Sequence, residues 1–347
     1  MGAATAYRPG GLPGALALRS HLPPAVTSAQ FRPVRQKPPT IPRRHKVTLL
    51  GLGAMGQRHA RVLGALGHRF EVVGVYDVRG DAPAPPDVAR FTSEAEAIAR
   101  AEVVVVATPI GGHASVVARA LGAGRHVLVE KPLCATAAEA RAAASASREG
   151  ARLFVGHSER FNPVVRALAK LVRCEDVVSV DLRRVGPAKP SDYGVLVNLG
   201  VHDLDLAAYL GGGPIALRGA FGGDERAHVL YSTAGGGVGH LFVDRTLPVR
   251  QRAIELLTSR WLYEGDLVAH RLVRSPRGGG PRTDVPLPLE EPLAAQALAL
   301  ADAIDGAPPR EIATGADGAR AVEAAEDAAA IFCRKVVAGA RGLIPGV

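Results

Sequence analysis

Lys46-Val-Thr-Leu-Leu-Gly-Leu-Gly-Ala-Met-Gly56 is the stretch that decides the fold. Val47–Leu50 is a short apolar run of strand length, and a helical pattern opens at Ala54. Between them Gly51, Gly53 and Gly56 form a GxGxxG turn, the strand–turn–helix arrangement that cradles a dinucleotide. The first glycine permits the tight turn, the second lets the backbone approach a pyrophosphate, and the third lets helix and strand pack closely. Ala54 and Met55 begin the helix, whose free N–H groups and positive dipole end suit phosphate. A second apolar run, Glu71–Tyr76, ends at Asp77, 21 residues after Gly56. A carboxylate there suits a ribose 2′-OH and repels a 2′-phosphate, which favours NAD, while Arg79 keeps NADP open. A structural glycine turn that holds no cofactor is the alternative reading.

Outward from this stretch, Val103–Ala107, His126–Val129 and Arg152–Val155 read as further strands. Helical patterns over about 112–122 and 136–148 separate them. Continuous apolar strands alternating with helices indicate a parallel sheet covered on both faces, a doubly wound α/β domain. Beyond about residue 172 the strands follow one another without helical crossovers: Val177–Val185, Ile215–Phe221, His228–Tyr231, Gly239–Arg245, Arg252–Leu257 and Trp261–Glu264. Helices over about 199–210, 291–305 and 316–338 complete an α+β domain with a large, mostly antiparallel open sheet. Ser275–Thr283 reads as a Gly/Pro/Arg loop. The expected division is an extension over 1–45, a dinucleotide-binding domain over 46–160, and a substrate-binding and oligomerisation domain over 161–340.

Composition narrows the function. The 347 residues carry a formal charge of +9, yet residues 1–46 hold eight Lys or Arg and no Asp or Glu. Removing those eight from 42 leaves 34 basic against 33 acidic residues, so the body is near neutral. The basic segment is rich in proline and reads as disordered, too broken for the amphipathic helix of a transit peptide. An upstream misassigned start is the other reading of it. A near-neutral body with 4% aromatic residues argues against a nucleic-acid partner. No apolar run reaches the length of a membrane span. Cys134, Cys174 and Cys333 are far apart and odd in number, which argues against a disulfide framework or a metal site and for a reducing, cytoplasmic setting.

Two further motifs carry chemistry. Glu130-Lys131-Pro132 follows the fourth strand, at the end of a parallel sheet where ligands bind. Lys131 is one of only six lysines, and at that place it can exchange a proton with a substrate hydroxyl. Asn198 and His202 stand four apart at the opening of a helix and share one face, fit to orient a hydroxyl and take its proton. A satisfied structural histidine is the plainer reading of His202.

Taken with Thr108-Pro109, His113 and the string Ala120-Leu-Gly-Ala-Gly-Arg-His-Val-Leu-Val-Glu-Lys-Pro132, these residues resemble the Gfo/Idh/MocA family of NAD(P)-dependent oxidoreductases. Within it, Gly156-His-Ser-Glu-Arg-Phe-Asn-Pro163 and Arg183-Arg-Val-Gly-Pro187 look like the branch that acts on nucleotide sugars. The resemblance implies hydride transfer between a sugar carbinol and nicotinamide, with UDP-N-acetylglucosamine oxidised at C3 as the favoured case. It implies Lys131 and His202 as catalytic residues. Thr108, Pro109, His113, Glu130 and Lys131 then join Gly51, Gly53, Ala54, Met55, Gly56 and Asp77 around NAD. Asn198, Arg160, Arg183, Arg184 and Tyr193 are the candidate substrate contacts, and a homodimer or homotetramer is implied. The family usually has Asp where this chain has Asn198, which removes a charge beside His202. Two alternatives stay open: an inositol or free-sugar dehydrogenase, and a non-catalytic NAD-binding regulator.

Overall fold

The structure, a computed structural model, describes residues 43–341 except 87, 173–174 and 188–190, with side chains described as far as residue 332. The expected basic extension lies almost wholly outside the described residues, as does Cys174. Cys134 is a buried free thiol.

Five parallel strands form the first sheet: β1 (His45–Leu50), β2 (Phe70–Tyr76), β3 (Val103–Val106), β4 (His126–Glu130) and β5 (Leu153–Gly156). Their order is β5-β4-β3-β1-β2, the doubly wound arrangement. All four valines of β3 are buried, as expected for branched side chains in a strand covered on both faces. Helices α1 (Ala54–Ala65), α2 (Glu94–Arg100), α3 (His113–Gly122) and α4 (Ala137–Ser145) link the strands. Helix α2 has no counterpart in the sequence reading. Its sign was the cap: the Ser93 side chain accepts from the Glu96 N–H, ahead of two acidic residues in the first turn. Likewise α5 (Pro163–Leu171) starts at an Asn162 cap with proline in its first turn.

The second sheet has eight strands: β6 (Val177–Val185), β7 (Ala216–Gly222), β8 (Arg226–Ser232), β9 (Val238–Asp244), β10 (Gln251–Thr258), β11 (Trp261–Asp266), β12 (Arg271–Pro276) and β13 (Thr283–Asp284). They run β13-β12-β11-β10-β6-β9-β8-β7, antiparallel except for the parallel β6–β9 pair. The stretch read as a loop from Ser275 is shorter, since β12 extends to Pro276 and β13 begins at Thr283. One face packs on α5 and on α6 (Val201–Leu210), burying Leu168, Leu182, Leu204, Val229, Tyr231 and Leu256 in a common core. Phe221, Leu230 and Val238 stay exposed.

The chain then returns to the first sheet. Helix α7 (Pro292–Ile304) buries Leu293 and Leu300 in the core that holds Val47 and Leu63. Strand β14 (Ala313–Thr314) adds antiparallel to the edge of β5. Helix α8 (Gly315–Arg341) places Val322 in the core beside Val155, and Ala325 and Ala328 in the core of the second sheet. The expected boundary after residue 160 therefore does not divide the cores, because α7, β14 and the start of α8 cover apolar surface of the first sheet. No helix among the described residues is long and apolar enough to cross a membrane.

Candidate active site

The glycine turn sits at the carboxyl end of β1. Gly51 adopts φ +93°, and a Cβ there would meet the Ala107 carbonyl oxygen at 2.5 Å. A Cβ on Gly56 would lie 1.9 Å from the Gly51 oxygen, so the close packing of turn and helix requires glycine. Gly53 faces open space. Helix α1 begins there with no side-chain cap and no acidic residue in its first turn, which leaves its N-terminal dipole for an anion. Asp77 closes this cradle: Oδ2 accepts from the Leu52 N–H at 2.6 Å, and Oδ1 from the Arg79 N–H at 2.9 Å. Burial opposes its ionisation, but the hydrogen bonds from Leu52 and Arg79 outweigh it and hold the carboxyl below its ordinary range. These features fit a dinucleotide on Gly51, Gly53, Ala54, Met55, Gly56 and Asp77.

The loops after β3 and β4 are tied together by His113. Its Nδ1 lies 2.9 Å from the Pro132 carbonyl oxygen and its Nε2 2.8 Å from that of Thr108. Both ring nitrogens thus face backbone carbonyls, and the imidazole shapes the crevice instead of facing it. Thr108 presents a buried hydroxyl with no partner among the described residues, and Pro109 is exposed beside it. Glu130 differs from expectation too, because its Oε1 is 2.7 Å from Nε2 of buried His59 on α1. That pair clamps α1 to β4, and nothing in the sequence marked His59.

Lys131 Nζ donates to the Asn198 carbonyl oxygen at 3.0 Å. Asn198 lies in a π-helical turn, Leu196–Gly200, which runs directly into α6 and His202. Such widened turns are frequent where a helix carries a site. Burial first, with repulsion from Arg184 and Arg252, pushes the Lys131 ammonium below its ordinary range, against an opposing pull from Glu130. His202 is pushed well below its own range by burial and by the cations of Lys131, Arg184 and Arg252. Its Nδ1 is buried with no hydrogen-bond partner among the described residues. The arrangement therefore holds a neutral imidazole and a destabilised ammonium at one end of the crevice, both suited to proton exchange. His157, 1% exposed, stands behind them with its ring edge-on to His202 at 6.3 Å.

Ion pairs fix this helix. Arg184 makes two bonds to Asp203, at 2.6 and 3.0 Å, and a third to Glu159 at 3.2 Å. Arg160 makes two to Asp205, at 2.7 and 2.6 Å, and its guanidinium lies over the Tyr209 ring. Asp203 and Asp205 follow His202 on α6, so the two arginines orient its helix. This corrects the expectation that Arg160 and Arg184 meet a substrate, since both are buried and committed to internal carboxylates. Arg183 is corrected as well. Strand alternation turns it to the opposite face of β6, where it stacks on Phe242 and bonds to Gln251. Tyr193 lies against the loop after β3, with its hydroxyl 3.9 Å from where a Gly111 Cβ would stand. Among the described residues no group of three or more His, Cys, Asp or Glu is placed to hold a metal.

The family model for oxidoreductases of the Gfo/Idh/MocA type, NAD-binding Rossmann fold, matches residues 45–157. Over those residues the chain is similar to Gfo/Idh/MocA oxidoreductases. Across 180 residues the chain is 30% identical to UDP-N-acetylglucosamine 3-dehydrogenase of Acidithiobacillus ferrooxidans, covering 49% of this chain and 56% of that protein. The inositol 2-dehydrogenase of Rhizobium meliloti is 31% identical over 176 residues, 47% of this chain and 53% of that one. The chain thus spans about half the length of the curated relatives it matches. The solved structure of the Acidithiobacillus enzyme superposes with a TM-score of 0.76 at 24% identity, over 84% of this chain and 98% of that one. The chain shares the fold of that enzyme across both sheets.

Proposed function

We propose that this protein is an NAD-dependent dehydrogenase that oxidises a secondary hydroxyl of a sugar, with a UDP-N-acetylglucosamine-type nucleotide sugar oxidised at C3 as its substrate. The observation that carries the reading is the meeting of Lys131 with the Asn198–His202 turn beside a glycine cradle closed by Asp77. The similarity to UDP-N-acetylglucosamine 3-dehydrogenase supports the substrate class.

Bound NAD would supply the hydride acceptor. Neutral His202 takes the hydroxyl proton, which its depressed basicity permits throughout the neutral range. Lys131 donates a hydrogen bond to the same oxygen and steadies the charge that develops as the proton leaves. Its tie to the Asn198 carbonyl fixes the ammonium at this point, while the Asn198 side chain and Tyr193 orient the sugar. The exposed outer face of the eight-stranded sheet, with Phe221, Leu230 and Val238, supports a homo-oligomer formed through it.

NAD⁺ reduction measured across UDP-sugars, free sugars and myo-inositol tests the reading. Turnover of UDP-N-acetylglucosamine is the expected result. Turnover confined to inositol or free sugars would move the substrate to the other branch, and cofactor binding without turnover on any of them would leave a regulator.

A further inference from the structure

The ion-pair network around His202 has an excess of positive charge at one edge. In the β6–β10 ladder Arg252 stands opposite Arg184, on the face that carries the site. Arg252 Nη1 donates to Glu159 Oε1 at 2.6 Å, the oxygen that also accepts from Arg184. Glu159 is therefore already shared by two cations, and Arg184 is otherwise satisfied by Asp203. Arg250, two residues before Arg252 along the chain, makes no hydrogen bond or ion pair among the described residues. Both arginines line a cavity of about 330 Å³ with Ser158, Glu159, Asn162 and His270.

The cavity is built, not a gap between mobile side chains. Asn162 Nδ2 donates to the Leu267 carbonyl at 2.9 Å, which pins the β11–β12 turn to the cap of α5. Asp266 Oδ1 accepts from the N–H groups of Val268 and Ala269 at 2.8 and 2.9 Å, and His270 closes the turn at φ +51°. A Cβ on Gly186 would lie 3.1 Å from the Arg250 Cα, so this close approach sets where Arg250 leaves the sheet. Ser158 lies two residues beyond the carboxyl end of β5, and Gly156 pairs with Glu130, next to Lys131. The cavity thus opens at the same end of the parallel sheet as the glycine turn and Lys131.

We propose that Arg250, Arg252 and His270 form an anion site that takes the diphosphate of the substrate, separate from the phosphate cradle of the dinucleotide. This rests on the sugar-nucleotide reading above and deepens it. Two guanidiniums with free N–H donors match a pair of phosphate groups, whereas an uncharged sugar or a cyclitol leaves them unmatched. The arginines that the sequence singled out, Arg183 and Arg184, are engaged elsewhere, and these two take that place.

Titration calorimetry on the full chain, saturated with NADH to occupy the dinucleotide cradle, uses inorganic pyrophosphate and UDP as probes. Arg250→Gln is the main variant, since Arg250 is exposed and its loss leaves no buried charge behind. Arg252→Gln is the second. Each is expected to weaken pyrophosphate and UDP binding by about tenfold, the loss for a charge-assisted contact, with NADH affinity unchanged. In turnover, Arg250→Gln should raise the KM for a UDP-sugar and leave kcat within about twofold. Pyrophosphate and UDP affinities equal to wild type in Arg250→Gln would overturn the site, as would wild type that binds neither probe. Because binding is read without turnover, an inactive protein that still loses pyrophosphate affinity in Arg250→Gln keeps the site and refutes only the dehydrogenase reading.

Discussion

Lys131 reaches across from the end of a parallel strand and donates through Nζ to the backbone carbonyl of Asn198, at 3.0 Å. One bond therefore joins the cofactor-binding sheet to the helix that presents His202. Lys131→Met removes both this tie and the ammonium. Turnover should fall by about 100-fold or more, the range for losing a positioned donor to the oxygen where charge develops. NADH binding followed by fluorescence should be unchanged. Undiminished turnover would refute the role.

The depressed basicity of His202 sets a pH profile. The imidazole acts as proton acceptor only when neutral, so oxidation is lost as pH falls through its pKa in the folded protein. Burial and neighbouring cations lower that pKa, so the acid limb of kcat/KM should lie below the ordinary imidazole range. His202→Gln should lose most activity and the limb together. A limb that persists in this variant assigns the titration to another group.

Asn198→Asp supplies a carboxylate close to His202. The negative charge favours the imidazolium, so the acid limb should move to higher pH. A shift to lower pH, or none, would show that position 198 does not act on His202.

Asp77→Asn keeps an oxygen for the Leu52 N–H but removes the charge and turns a donor toward the Arg79 N–H. The NAD KM should rise about tenfold, and preference over NADP should shrink, because the repulsion against a 2′-phosphate is gone. The depressed carboxyl also contributes stability above its unfolded pKa, lost as pH falls through the folded one. The wild type should therefore lose its thermal advantage over the variant in acid.

Arg160 and Asp205 are almost wholly buried, so removing one leaves the other uncompensated. Arg160→Met alone should cost about 3–5 kcal/mol, read from denaturant melts, and Arg160→Met with Asp205→Leu should recover much of it. Additive losses would show that the pair is not coupled.

Local chemistry made the parallel sheet legible: an apolar strand, three glycines, and a carboxylate at the end of the next strand. Lys131 and His202 were readable for the same reason, each placed by a short string. The roles of the arginines were not. Arg160 meets Asp205 from 45 residues away and Arg184 meets Glu159 from 25, so only the fold reveals that these cations are neutralised. Arg183 and Arg184 look alike in sequence, yet strand alternation sends them to opposite faces. Helix α2 escaped notice because seven residues give barely two turns of periodicity. Strand β14 escaped because two residues give none.

That last strand has a consequence in time. Ala313 closes the ladder beside Val155, so one edge of the nucleotide-binding sheet stays bare until some 160 further residues have left the ribosome. A nascent chain in that interval presents an unpaired strand to its neighbours. The two halves are thus sewn together by the order of synthesis, and neither is complete as a separate piece.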